Sequence, residues 1–247
     1  MKDGEDGLTN QRTTTDRVGS NLNSAVSRLG FWSALLTAVL SVAFFGVGIV
    51  TPVRNIPYPY VASFIPADYL WMYPAFLLAP TFVVLIACIH VYAADDKKLF
   101  SQIGLSFAVV YAAVITTDYF IQWTVIEPSI LSGETAGLAL FTQYNPHGLL
   151  VALESLAYLM MNGAFLFVAA VFAGGRLERA LRWLFVASFV VAVGSFVGLS
   201  LLGYSIVAFE VTIIAINCIV LVVSGALLSV VFRRAGQQRG RNQRAAV

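Results

Sequence analysis

The chain is poor in charge. Only 11% of its 247 residues are Asp, Glu, Lys or Arg, whereas an ordinary soluble domain contains roughly 25%. Hydrophobic residues make up 59%, and they occur in long runs rather than in short amphipathic patterns. Apolar runs of about twenty residues are typical of membrane spans. The composition therefore excludes an ordinary soluble domain and predicts an integral membrane protein.

The residues on which several familiar kinds of site depend are also scarce. Cys88 and Cys218 both fall inside predicted spans, which excludes a disulfide framework and favours small apolar filler. No CxxC, HExxH, Walker or GxGxxG pattern is present. His90 and His147 fall on opposite sides of the predicted membrane and cannot share a haem, and no lysine lies inside a span to form a retinal Schiff base. We therefore expect no cofactor.

Six apolar stretches predict an all-α fold, a bundle of six transmembrane helices within residues 29–232. Each stretch is long enough to cross roughly 30 Å of hydrocarbon. The polar tail at 1–28 is predicted to be disordered, and the basic tail at 233–247 is similar. The six helices are predicted at about residues 30–51, 69–94, 99–125, 148–173, 180–203 and 206–232.

Basic residues are distributed unevenly between the two ends of this predicted bundle. All of the 15 lysines and arginines except Arg54 fall at the end that carries both termini. The positive-inside rule then places both termini in the cytoplasm and the chain in the cell membrane. We interpret the run RRAGQQRGRNQR at 233–244 as a topology anchor with some affinity for anionic lipid, not as a nucleic-acid-binding segment.

Two connections at the other end are long and half-apolar. They read TPVRNIPYPYVASFIPAD at 51–68 and EPSILSGETAGLALFTQYNPHG at 127–148. Both contain enough Leu, Ile, Phe and Tyr to lie on the bilayer or cap the bundle, and ETAGLALF at 134–141 is expected to form a short interfacial helix. A lid, a vestibule floor and a simple interfacial belt all remain open interpretations.

Three acids inside the spans are the strongest functional signal. Asp118, Glu154 and Glu210 lie on the third, fourth and sixth predicted helices, each roughly 6–11 Å below the outer boundary at about 1.5 Å per residue. A carboxylate in the bilayer centre costs at least ~2.5 kcal/mol, so such residues usually face the bundle interior. Three close acids without a lysine or arginine at their depth cannot all be ionised. The alternative is a neutral, hydrogen-bonded cluster that fixes helix packing.

Polar and aromatic neighbours extend this predicted site. His147 is expected above Glu154 on the same helical face, as a gate or proton relay, and with Asp118 and Glu154 it offers a weaker alternative as a metal site. The aromatic side chains are also compatible with a membrane-interface belt. The residues predicted to bind or orient a ligand are Glu210, His147, Tyr158, Asn162, Gln122, Tyr119, Trp123 and Asn217.

Part of the chain resembles a known group of proteins. The stretches DYFIQWTVIEPSI at 118–130 and LALFTQYNPHGLLVALESLAYLM at 138–160 are similar to those of uncharacterised bacterial multi-pass membrane proteins. The resemblance covers the third span through the fourth, about a quarter of the chain. It implies a bacterial source and no particular activity.

Several function classes stay open. The leading hypothesis is binding or transport of a small cation, proton-coupled or amine-like ligand in an outward-facing, aromatic-rimmed acidic pocket. An alternative is an isomerase, cyclase or transferase on a lipid or isoprenoid, with Glu154 or Asp118 as catalytic proton donor. A third is a non-catalytic assembly or sensor subunit. The expected partners are the lipid bilayer and a small molecule or cation, and small residues at Gly194, Gly198 and 224–226 permit close helix packing or oligomerisation.

Overall fold

The computed structural model describes the chain over residues 3–50, 69–134, 136–141, 143, 145, 147–203 and 205–245. Within these residues, six helical segments are long and apolar enough to cross a membrane, which confirms the all-helical, six-span class. The α-helices are α1 (Asp3–Val50), α2 (Met72–Tyr92), α3 (Lys98–Ile121), α4 (Glu127–Leu131), α5 (Leu149–Val168), α6 (Arg176–Leu202), α7 (Ile206–Phe209) and α8 (Ile216–Ala245).

Two of the spans are built from more than one helix. A π-helical segment, Gln122–Ile126, joins α3 to α4, and a second one, Glu210–Ala215, joins α7 to α8. The third span therefore continues to Leu131, beyond the predicted end at residue 125. Pro128 lies within this span, two residues after the π-helical segment, so the position where proline cannot donate a backbone N–H falls next to the change in helical hydrogen bonding.

Both ends of the chain continue their neighbouring spans as helix. The α1 backbone is helical from Asp3, and α8 continues to Ala245, whereas the sequence predicts disorder over 1–28 and a similar tail over 233–247. Starting a helix is costly, but extending an existing one adds a hydrogen bond for each residue that is fixed. Each long apolar span thus supplies the nucleus from which the polar segment continues.

The spans form a closed ring. Contacts join α1 to α2, α2 to α3, α3 to α5, α5 to α6, α6 to α8 and α8 back to α1. Helix α5 also contacts α2 across the ring. As a result, 61% of the apolar window of the α5 span is buried, compared with 22–44% for the other spans. Polar residues on α5 are therefore the most enclosed by protein.

One end of the ring, here called the basic end, carries the described lysines and arginines. The Tyr92 hydroxyl donates to Glu178 Oε1 at 3.0 Å, and the Tyr92 and Phe232 rings lie 6.0 Å apart. These contacts place the end of α2, the start of α6 and the distal part of α8 together. The basic residues at this end whose side chains the structure describes are Arg28, Lys97, Lys98, Arg176, Arg179, Arg182, Arg233 and Arg234.

The opposite end contains the two half-apolar connections. The first, at 51–68, lies outside the described residues together with Arg54. In the second, α4 continues the third span over Glu127–Leu131, and the described residues of 134–141 contain the short 3-10 turn Leu138–Leu140 instead of the helix expected there. Gly133 and Gly137 have φ values of 77° and 79°. Glycine adopts a positive φ at no steric cost, and a residue with this backbone cannot be part of a right-handed helix. A regular helix therefore cannot pass through Gly133 or Gly137.

Helices α1 and α8 approach closely at Gly225. A Cβ atom at Gly225 would lie 2.6 Å from the Ala34 carbonyl oxygen and 3.0 Å from Ala38 Cβ, whereas a Cβ at Gly194 would meet nothing within 4 Å.

We expect Gly225→Ala to lower the free energy of unfolding by about 1 kcal/mol or more, because overpacking forces a backbone shift. The matched Gly194→Ala change is expected to leave stability equal or slightly higher. Reversible unfolding in mixed detergent micelles measures both, and equal effects would refute the close contact.

Candidate functional site

Helices α3 and α5 contact each other along their length. Near the basic end, a Cβ at Gly104 would lie 2.7 Å from Val168 Cγ1 and 3.1 Å from the Ala164 carbonyl oxygen. Toward the opposite end, the Tyr119 hydroxyl donates to Glu154 Oε1 at 3.0 Å. This hydrogen bond aligns the outer part of α3 with the first turns of α5, and it brings the predicted acid on α5 into the interior.

Glu154 is enclosed by tyrosines. It is 6% exposed, and Tyr119, its hydroxyl donor, is fully buried. The Tyr119 side chain also hydrogen-bonds with that of Tyr158, one helical turn after Glu154. The Tyr119 ring also packs perpendicular to the Trp71 ring at a centroid distance of 5.6 Å. The three predicted site residues on α3 and α5, Tyr119, Glu154 and Tyr158, therefore meet.

Asp118 provides the second carboxyl group of the same layer. It is fully buried, and it lies within electrostatic range of Glu154. Its Oδ1 accepts a hydrogen bond from Gln122 Nε2 at 3.3 Å. Its Oδ2 has no hydrogen-bond partner, and neither does Gln122 Oε1. A buried pair of side chains thus presents two acceptor oxygens without donors. We refer to Asp118, Gln122 and Glu154 as the acid layer.

Two residues near the acid layer are absent from the site predicted from the sequence. Tyr111 and Cys218 both lie within electrostatic range of Glu154, and both are buried. Tyr111 precedes Asp118 by seven residues, so helical spacing places both on one face of α3 and could have identified it. Cys218, interpreted from sequence as apolar filler, lies where α8 faces this layer.

Trp123 belongs to an aromatic group on the α2 side of α3. Its ring stacks on Tyr73 at 4.9 Å and lies 5.1 Å from the Phe76 ring. Its indole Nε1 is buried without a hydrogen-bond partner. A buried indole N–H usually finds an acceptor, so this edge of the site contains an unused donor close in sequence to the unused acceptor of Gln122.

A π-helical segment begins at Gln122, directly after the Asp118 turn. The Glu127 N–H bonds to the Gln122 carbonyl, five residues back instead of four. Such segments are rare and often occur at functional sites. The second π-helical segment begins at Glu210, the third predicted acid. The Glu210 side chain lies outside the described part of the structure, so its place in the acid layer remains a prediction.

Asn162 and Asn217 form a separate polar cluster. Asn162 Nδ2 donates to Asn217 Oδ1 at 2.7 Å and to the Tyr158 carbonyl at 2.8 Å, while Asn162 Oδ1 accepts from Ser188 Oγ. Asn217 Nδ2 donates to the Ile213 carbonyl at 2.6 Å. The cluster joins α5, α6 and α8 about 12 Å along α5 from Glu154. The structure therefore places both asparagines in an interhelical hydrogen-bonded cluster that begins at the Tyr158 carbonyl, and it adds Ser188, which the sequence reasoning missed.

His147 stands outside the helical pattern from which its role is predicted. Helix α5 begins at Leu149, so His147 lies in the preceding turn, where it is exposed and its backbone N–H donates to Asn145 Oδ1 at 3.0 Å. Helical spacing therefore does not place it on the Glu154 face. Within the described residues, no group of three or more His, Cys, Asp and Glu side chains is arranged to hold a metal ion.

Comparisons with protein-family models, with curated proteins and with solved structures found no match.

Proposed function

We propose that this protein binds a small cation or a proton at the acid layer and couples the exchange of the two. The observation that carries the proposal is Asp118 Oδ2, a fully buried carboxyl oxygen without a donor. Leaving such a group unsatisfied costs about 1–3 kcal/mol, and more when it is charged. A proton on the carboxyl, a metal cation or an ammonium N–H would each satisfy it.

The chemistry of the layer selects for cations. Asp118 Oδ2 and Gln122 Oε1 are both acceptors and both unused. Asp118 forms no ion pair with a lysine or arginine among the described residues. An anionic ligand would meet the carboxyl groups of Asp118 and Glu154 and be repelled. A cation, in contrast, gains charge-assisted contacts that are shorter and stronger than neutral hydrogen bonds.

Coupling to protons follows from the carboxyl pair. Asp118 and Glu154 interact electrostatically inside the bundle, where two negative charges oppose each other. With the site empty, a proton held by the pair lowers this repulsion. When a cation binds, its positive charge lowers the repulsion instead, and the proton is released. Tyr119, which donates to Glu154, holds the second carboxyl in position while this happens.

We propose that the acid layer faces the outside of the cell. The basic end gathers lysines and arginines from α1, α3, α6 and α8, and such residues are retained on the cytoplasmic side of a membrane. Asp118 follows Lys98 by 20 positions on one continuous helix, about 30 Å at 1.5 Å per residue. The acid layer is thus nearer the opposite end, which the proposed orientation makes the outer one.

Proton release on cation binding tests the proposal. Purified protein in phosphatidylcholine nanodiscs, weakly buffered with a pH dye, is titrated with chlorides of sodium, potassium, methylammonium and tetramethylammonium. We expect at least one of the four cations to release a proton for each cation bound. Tetramethylammonium lacks an N–H donor, so a response to methylammonium alone would indicate hydrogen bonding to the acid layer.

Matched variants locate the source of the proton. Asp118→Asn keeps the size of the side chain but removes its titratable group, and we expect it to abolish the release. Asp96→Asn is the control, since Asp96 is an exposed acid at the basic end, paired with Lys97 at 3.1 Å, and we expect it to behave like the wild type. Equal release from the wild type and Asp118→Asn, or release by none of the four cations, would overturn the proposal.

A further inference from the structure

A second site lies at the basic end, far from the acid layer. A groove of about 440 Å³ opens there between α1 and α8. The two helices face each other here at ordinary packing distance, since a Cβ at Gly236 would lie 3.6 Å from Ser27 Cβ. The groove is lined by Ser24, Ser27, Arg28, Phe31, Trp32, Phe232, Arg233, Gly236 and Gln237.

The polar part of the groove is cationic. Arg28 from α1 and Arg233 from α8 line it from two sides, and both are exposed. No lining residue is acidic, and neither arginine forms an ion pair with any side chain that the structure describes. Guanidinium groups match phosphate oxygens geometrically and are the preferred phosphate ligands in proteins. The charge of the groove therefore fits a phosphate group.

The remaining walls are aromatic. Trp32 lies one helical turn beyond Arg28 toward the membrane interior and is 63% exposed, while Phe232 is buried and closes the floor. Tryptophan is enriched at the membrane interface, where its ring contacts both headgroups and acyl chains. A molecule with phosphate at the arginines can therefore extend an apolar chain along Trp32 into the bilayer. Free phosphate would use only half of these contacts.

We propose that this groove binds an anionic phospholipid, with its phosphate between Arg28 and Arg233 and an acyl chain along Trp32. The cytoplasmic leaflet, where the basic end is placed, is rich in anionic lipid. The site is independent of the acid layer, because the two lie at opposite ends of the bundle. A lipid held between α1 and α8 joins the first span to the last and stabilises the closure of the ring.

Lipid titration of the delipidated protein tests this inference. Native mass spectrometry in detergent micelles follows the binding of phosphatidylglycerol and of phosphatidylcholine with identical acyl chains. We expect the wild type to retain one phosphatidylglycerol molecule preferentially. Replacing both groove arginines, R28Q with R233Q, is expected to weaken its binding about thirtyfold, roughly fivefold for each arginine near a membrane surface.

Two further variants separate the groove from diffuse surface charge. Arg179 and Arg182 are exposed at the same end but do not line the groove, so R179Q with R182Q should bind the lipid like the wild type. G236L keeps both groove arginines and fills the space between the helices, and it should weaken binding. The inference is overturned if both arginine pairs have equal effects, if the two lipids bind equally, or if soluble glycerol phosphate displaces the lipid completely.

Discussion

Asp118→Asn is expected to give a protein that resists unfolding better than the wild type, although it no longer binds the cation. The variant keeps Oδ1, which accepts from Gln122 Nε2. In place of the unsatisfied Oδ2 it carries an amide group, which cannot become charged and is less costly to bury than a carboxylate. Removing this unsatisfied buried acceptor is expected to raise the free energy of unfolding by about 1–3 kcal/mol. Equilibrium unfolding in mixed micelles, without added ligand, measures the change.

The control for this stability measurement is an acid that is already satisfied. Asp96 is exposed and paired with Lys97, and a surface ion pair contributes only about 0–1 kcal/mol. Asp96→Asn should therefore leave stability unchanged or slightly lower. Gain of stability with loss of binding identifies Asp118 as a residue kept for function at a cost to the fold. A destabilised Asp118→Asn variant would instead mark Asp118 as a structural hydrogen-bond partner.

Among the variants proposed here, Asn162→Leu is expected to lower the free energy of unfolding most. Asn162 makes two interhelical hydrogen bonds, with Asn217 on α8 and with Ser188 on α6, and is fully buried. Interhelical bonds in membranes contribute about 0.6 kcal/mol each on average and up to about 1.7. The change also leaves Asn217 Oδ1 without a donor, so we expect a loss of about 2–3 kcal/mol in total.

A double-mutant cycle tests whether the two asparagines act together. Asn162→Leu and Asn217→Leu remove the same interhelical bond, so the double variant should lose clearly less stability than the sum of the single losses. Ser106→Ala serves as the control, because Ser106 Oγ only bonds back to the Gln102 carbonyl of its own helix. Additive losses for the asparagines, or an equal loss for Ser106→Ala, would disagree with an interhelical hydrogen-bonded cluster. Cation-dependent proton release should survive, because neither asparagine is hydrogen-bonded to Asp118 or Gln122 in the part of the chain that the structure describes.

The six spans could be predicted because a long apolar run has few stable alternatives to a transmembrane helix. The proximity of Asp118 and Glu154 could be predicted for a similar reason. Residues at one depth on facing helices can meet, although the depth predicted for Asp118 assumed a third span that ends at residue 125 instead of Leu131. The Tyr119–Glu154 hydrogen bond agrees with that reasoning.

The sequence could not show which helix each face contacts. Asn162 shares a face with Glu154 and Tyr158 by spacing, yet in the structure it contacts α6 and α8, because the ring order decides its neighbours. The π-helical segments at Gln122 and Glu210 have no motif, since they arise where tertiary packing favours one extra residue in a turn. Helical spacing predicts that His147 lies on the same face as Glu154, but helix α5 begins two residues after His147.

Infrared spectroscopy of the carboxyl groups tests the central claim most directly. The C=O group of a protonated carboxylic acid absorbs at a higher frequency than ionised carboxylates and side-chain amides do. We predict that the wild type in nanodiscs shows such a band, that it decreases when the bound cation releases its proton, and that this cation-sensitive band is absent from Asp118→Asn. A wild-type spectrum without any cation-sensitive carboxyl band, or the same band in Asp118→Asn, would contradict the assignment of the acid layer as a site of proton and cation exchange.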